Sequence, residues 1–154
     1  AYGLPGLRIG WIASKDIDLL DKMERMKHYL SICNSSPSEV LSIIALKSRE
    51  KILERNRKII SDNLSLLSPF FEKNRDLFDW EIPDGGCIGY PKYLGDEGVE
   101  AFCENLIENH SIMLLPSSVY QSELGATVGD HFRIGYGRIK MKDGLEALEI
   151  AMDQ

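Results

Sequence analysis

Arg8 lies inside the apolar run Leu7-Arg8-Ile9-Gly10-Trp11-Ile12-Ala13. A guanidinium in such a setting is expensive to bury unless an anion meets it. Its planar fork suits a phosphate, to which it donates two parallel, charge-assisted bonds. The residues alone leave a second reading open, an arginine partly exposed at the surface. Arg133, within Phe132-Arg133-Ile134-Gly135-Tyr136, reads at residue level as a strand arginine paired with an acidic neighbour such as Asp130. Cys33, Cys87 and Cys103 are odd in number and widely spaced, as reduced, mostly buried thiols are, and they frame neither disulfides nor a zinc site. His28, His110 and His131 show no ligand spacing with one another or with the cysteines, so no metal site is expected.

The charge balance, 18 basic against 24 acidic residues for a net −6, argues against nucleic acid as a partner. With 44% hydrophobic and 27% charged residues, the 154-residue chain has the composition of a soluble globular domain with a real core. No apolar run approaches membrane-spanning length. A cytoplasmic protein without a membrane partner is the expectation.

The elements that must position these arginines follow from periodicity and turn signals. Leu4-Pro5-Gly6 reads as a type II turn, and residues 7–13 as a buried strand. Ser14-Lys15-Asp16 starts a helix whose stripe runs Ile17, Leu20, Met23, Lys27 and Leu30, with Leu19 and Met26 widening it. Cys33-Asn34-Ser35-Ser36 breaks the pattern, and Ser36-Pro37-Ser38-Glu39 restarts it with Ser36 as N-cap and Glu39 completing a capping box. The charged stretch that follows reaches Leu67. Its basic residues interleave with Glu50, Glu54 and Asp62, so it reads as a solvated helix face, and Pro69 opens another short helix. Residues 78–82 alternate as a half-buried strand, Pro83-Asp84-Gly85-Gly86 turns, and Cys87-Ile88-Gly89-Tyr90 returns as the hairpin partner. A helix over 98–109, a strand over 112–115 stopped by Pro116, a strand over 132–136 and a helix from Lys142 complete the chain. The order predicts an α/β fold, its C-terminal part α+β, with helices layered on a small, largely antiparallel sheet.

Several short segments carry a family likeness in order along nearly the whole chain. Tyr2-Gly3-Leu4-Pro5-Gly6-Leu7-Arg8-Ile9-Gly10 resembles the segment after the cofactor-binding lysine in class I/II (fold-type I) pyridoxal-phosphate aminotransferases. Pro83-Asp84-Gly85-Gly86 resembles their Pro-x-Gly-Gly hairpin. Leu114-Leu115-Pro116-Ser117-Ser118 resembles their Pro-Gly-Ser segment, with Ser117 where Gly is usual. Phe132-Arg133-Ile134-Gly135 resembles the strand whose arginine grips the substrate's α-carboxylate.

The resemblance implies pyridoxal 5'-phosphate as cofactor, an amino acid and a 2-oxo acid as substrates, and a homodimer. It casts Arg8 as a phosphate ligand and Arg133 as the carboxylate clamp, and it leaves Arg138 exposed. It divides the chain into residues 1–65, the end of the cofactor-binding large domain (a strand and helices) with the interdomain helix, and residues 66–154, the small domain. Registering Arg8 on the family pattern places the cofactor lysine directly before Ala1. The chain taken alone is therefore expected to be inactive, with no catalytic residue of its own, and the strand over 7–13 to pair with another chain or fold back on this one. Dicarboxylate-specific members carry an extra arginine where this chain reads Tyr29-Leu30-Ser31-Ile32, which argues against an acidic amino-acid substrate. Cys33-Asn34-Ser35-Ser36-Pro37 corresponds to the loop facing the neighbouring subunit's active site, and it equally reads as a helix–helix connector. A lyase, cyclase or decarboxylase on the same fold, and a non-catalytic structural fragment, are the alternatives.

Overall fold

The computed structural model describes residues 2–125 and 129–153. It contains two compact units, Ala1–Arg55 and Asn56–Gln154. In the first, α1 (Ile17–Leu30) begins where the Asp16 carboxylate accepts the Leu19 N–H at 2.9 Å, with Lys27 and His28 in its last turn to complement the helix dipole. Helix α2 (Ser36–Lys47) starts one residue earlier than expected, at Ser36 itself, so that the N-cap moves to Ser35. Ser35 occupies that position without a side-chain bond, and Glu39 accepts from Asn34 Nδ2 at 3.2 Å instead of closing a capping box. Pro37 accounts for the shift, because its fixed φ fits the second helical position as well as the first. Ala45 is the only buried apolar residue described in this unit, while Val40, Leu41, Ile43 and Ile44 are exposed.

The segment 7–13 is not a strand. Pro5–Leu7 form a 3-10 turn closed by Arg8 in the left-handed region at φ 53°, with the Arg8 N–H donating to Pro5 O at 3.2 Å. Positive φ falls on Gly3 and Arg8, not on Gly6 as a type II turn would require. Leu7 and Ile9 are half-buried, and Trp11 is 74% exposed. Strands exist through ladder bonds to a partner. Among the described residues none forms a strand pairing with 7–13.

Helix α3 (Arg49–Lys73) carries Pro69 in its interior, where the sequence predicts a helix start. An interior proline costs about 3 kcal/mol. Burial of Phe70 and Phe71 beside it returns roughly 1.5–3 kcal/mol each. Tertiary packing therefore outweighs the local break.

The second unit's core gathers on Phe78, whose ring lies 5.6–6.0 Å from those of Phe70, Phe71, Tyr93, Phe102 and Phe132. Helix α4 (Gly98–His110) contributes Val99, Phe102, Cys103 and Leu106 to it, and α5 (Met141–Met152) contributes Leu148. The strands are short and every pairing is antiparallel: β1 (Phe78–Asp79) with β3 (Lys92–Tyr93), and a three-stranded sheet ordered β2 (Ile88–Gly89), β5 (Phe132–Gly135), β4 (Leu115–Pro116).

The helices-on-antiparallel-sheet expectation is met, but the hairpin is not. Residues 78–79 and 88–89 belong to different sheets, because Phe78 registers opposite Tyr93 in the aromatic core and Ile88 opposite Gly135. Trp80 lies against Gly89, where an added Cβ would stand 2.9 Å from the indole nitrogen. Pro116 sits within β4 instead of stopping it, which the edge position of that strand allows.

Candidate functional site

Strand β5 alternates in burial. Phe132 and Ile134 enter the core, and this turns Arg133 and Gly135 to the exposed face. β5 is central, paired on both sides, with Arg133 opposite Leu115 and Gly135 opposite Ile88, so the backbone beneath Arg133 is held firmly. The Arg133 Nη1 donates to the Tyr120 hydroxyl at 3.3 Å. Tyr120 ends the 3-10 turn Ser117–Tyr120, which brings its ring edge-on to Tyr90 at 6.3 Å. Tyr90 in turn stacks on His131 at 5.2 Å, and the His131 Nδ1 meets the Gly129 carbonyl. Burial raises the Tyr90 phenol above its ordinary range; a hydrogen bond with buried Ser117 opposes the shift, and Tyr120 adds to it.

Asp130 is engaged elsewhere. Its carboxylate accepts the Val99 N–H at 3.3 Å, capping α4 from outside the helix, and its carbonyl accepts from Tyr93 N–H at 2.7 Å. Among the described residues Arg133 makes no ion pair. Beside it opens a cleft of about 260 Å³ whose charged lining residues are Arg133, Arg138 and Lys140, all basic, above apolar walls that include Met113, Leu114 and Leu145. In a chain of net charge −6, that concentration of unopposed positive charge favours an anion. Asn63 fixes the connector from β5 to α5, donating through Nδ2 to the Tyr136 and Arg138 carbonyls at 2.8 and 2.7 Å. Arg138 is exposed, as expected.

Arg8 belongs to the first unit, and Arg133 to the second. Arg8 is exposed, makes no ion pair among the described residues, and holds a left-handed backbone that costs a non-glycine residue about 1–2 kcal/mol. A planar guanidinium with an exposed face is the donor chemistry that a phosphate group requires. Tyr90, Tyr120 and His131 escape a reading of the sequence, since they lie up to 41 residues apart. The one usable signal is the position of Tyr120, two residues after Ser118 of the Pro-Ser-Ser segment. Among the described residues no cluster of metal-binding side chains occurs, and no helix is long and apolar enough to cross a membrane.

Comparison with known proteins adds three findings. The family model described as aminotransferase class I and II matches residues 1–149. Capreomycidine synthase of Streptomyces vinaceus is 26% identical over 150 residues, covering 96% of this chain and 37% of that protein. Two solved structures superpose over almost the whole chain. A PLP-dependent aminotransferase from Streptococcus suis has a TM-score of 0.84 at 28% identity, covering 99% of this chain and 39% of that one. The PLP-dependent cyclase OrfR has a TM-score of 0.80 at 25% identity, covering 97% and 40%. The chain thus spans 37–40% of the length of these relatives.

Proposed function

Because the chain belongs to the class I and II aminotransferase family, whose cofactor is pyridoxal 5'-phosphate, we propose that the complete protein transfers an amino group between an amino acid and a 2-oxo acid. The observation that carries this reading is Arg133, presented without a carboxylate partner among the described residues, on the exposed face of a doubly paired strand. Two parallel bonds from its guanidinium both bind and orient a substrate carboxylate. The basic cleft beside it draws the anionic end of an amino acid to the site. Arg8 holds the cofactor's phosphate. The cofactor, when bound, supplies the electron sink for loss of the α-proton. Residues 1–65 serve the large domain and the interdomain helix, and 66–154 form the small domain. The assembly is a cytoplasmic homodimer.

A second reading is a cyclase on the same scaffold. It is supported by the match to OrfR, described as a PLP-dependent cyclase, over 97% of this chain. Incubating the complete protein with a panel of amino donors and 2-oxo acids separates the two. A new amino acid is the expected product; a cyclised amino acid, ammonia or carbon dioxide without amino transfer refutes the transaminase. Arg133→Lys keeps the charge but loses the fork, so KM should rise strongly while cofactor occupancy holds. Arg8→Ala should lower cofactor affinity, and equal affinity would refute that assignment.

A further inference from the structure

We propose that Tyr120 is a second ligand of the carboxylate held by Arg133, so that the clamp presents three donors: two guanidinium N–H groups and one phenol. This rests on the reading of Arg133 as the carboxylate ligand. A phenol has one O–H to donate as well as lone pairs to accept with. The Tyr120 oxygen already accepts from Arg133 Nη1 at 3.3 Å, and among the described residues no acceptor takes its own proton. That proton is left for a ligand on the exposed side, where 45% of Tyr120 remains accessible.

The ring is also held by packing, which leaves the hydroxyl proton free of that task. It packs edge-on to Tyr90, which is stacked on His131, whose ring is tied to the Gly129 carbonyl. Position and free valence therefore coincide. A carboxylate offers about four lone-pair sites, and a bidentate arginine uses two of them. A neutral third donor fills another without adding charge next to Arg133, whose adjoining cleft already holds Arg138 and Lys140. It also orients the guanidinium plane, which a lone arginine on an exposed strand face leaves free to turn.

The test is Tyr120→Phe in the complete protein, which keeps the ring packing and removes only the oxygen. The amino-donor KM should rise about tenfold with kcat within about twofold, the signature of binding lost equally from ground and transition states. The dissociation constant of propanoate, a carboxylate with no amino group, measured by calorimetry, should rise by the same factor. Unchanged KM and propanoate affinity in Tyr120→Phe, beside raised values in Arg133→Lys, overturn the role of Tyr120 alone. Unchanged values in Arg133→Lys overturn the underlying reading of the site. A fall in kcat or in cofactor occupancy at constant KM also overturns the proposal, because it would make Tyr120 a structural residue.

Discussion

Asn63 should be the residue through which α3 controls the chain beyond β5. It is 5% exposed, and its Nδ2 satisfies two carbonyls, those of Tyr136 at 2.8 Å and Arg138 at 2.7 Å. In Asn63→Ala both carbonyls lose their donor. A buried unsatisfied group costs about 1–3 kcal/mol. The Arg138 bond is only partly buried and belongs at the low end, so the expected loss is roughly 2–4 kcal/mol. Asn63→Asp has nearly the same shape but sets a carboxylate oxygen against two carbonyl oxygens, and should cost more than alanine at pH 7.

The aspartate variant also carries a pH signature. Burial and the facing carbonyls raise its folded carboxyl pKa above the unfolded value of about 3.9. The native state then keeps a proton that the unfolded chain has released. Stability is thus highest below that value and falls as pH rises through the folded pKa. Urea unfolding of the complete protein at pH 4.5 and 7, followed by amide exchange in β5 and α5, measures both effects. An aspartate variant as stable as wild type at pH 7, or one whose deficit is the same at both pH values, would refute the reasoning.

Three further outcomes are expected. Burial first, and the Glu100 charge second, push the Cys103 thiol up to about 11, whereas Cys33 and Cys87, against the expectation of mostly buried thiols, are exposed. At pH 8 iodoacetamide should modify Cys33 and Cys87 and spare Cys103; mass-mapped labelling of Cys103 in the native protein would contradict this. The same raised pKa means that the unfolded thiol ionises before the folded one, so the thiol's contribution is intact below about 9 and declines as pH climbs towards 11. Gly89→Ala should lose about 1–3 kcal/mol by overpacking, since its Cβ would lie 2.9 Å from Trp80 Nε1 and 3.3 Å from Ile134 Cγ2; an unchanged urea midpoint counts against the close approach. Phe132→Ala, at a side chain with no exposed surface, should cost about 3–5 kcal/mol by the same measurement.

The amino-acid sequence by itself determined α1, α4 and α5 and the orientation of Arg133. The bonds of α1, α4 and α5 join residues four apart, so caps and apolar stripes place them: α1 starts from the expected segment Ser14-Lys15-Asp16, with Asp16 as its cap, and α4 ends within a residue of expectation. The alternation Phe132-Arg133-Ile134 turns Arg133 outward whatever strand lies beside it. The motifs in order were enough to reveal the family, because each is local. Tertiary structure alone decided the rest. Whether residues 7–13 become a strand depends on a partner's hydrogen bonds, and no local pattern supplies one. Phe78 chooses Tyr93 over the nearer return segment because five other rings converge on it, and Pro69 stays helical because Phe70 and Phe71 are buried. Tyr90, Tyr120 and His131 meet at Arg133 only after those pairings are made. Sequence patterns encode what a segment does to its own backbone, whereas a site is assembled from the far ends of several segments, and only packing brings those ends together.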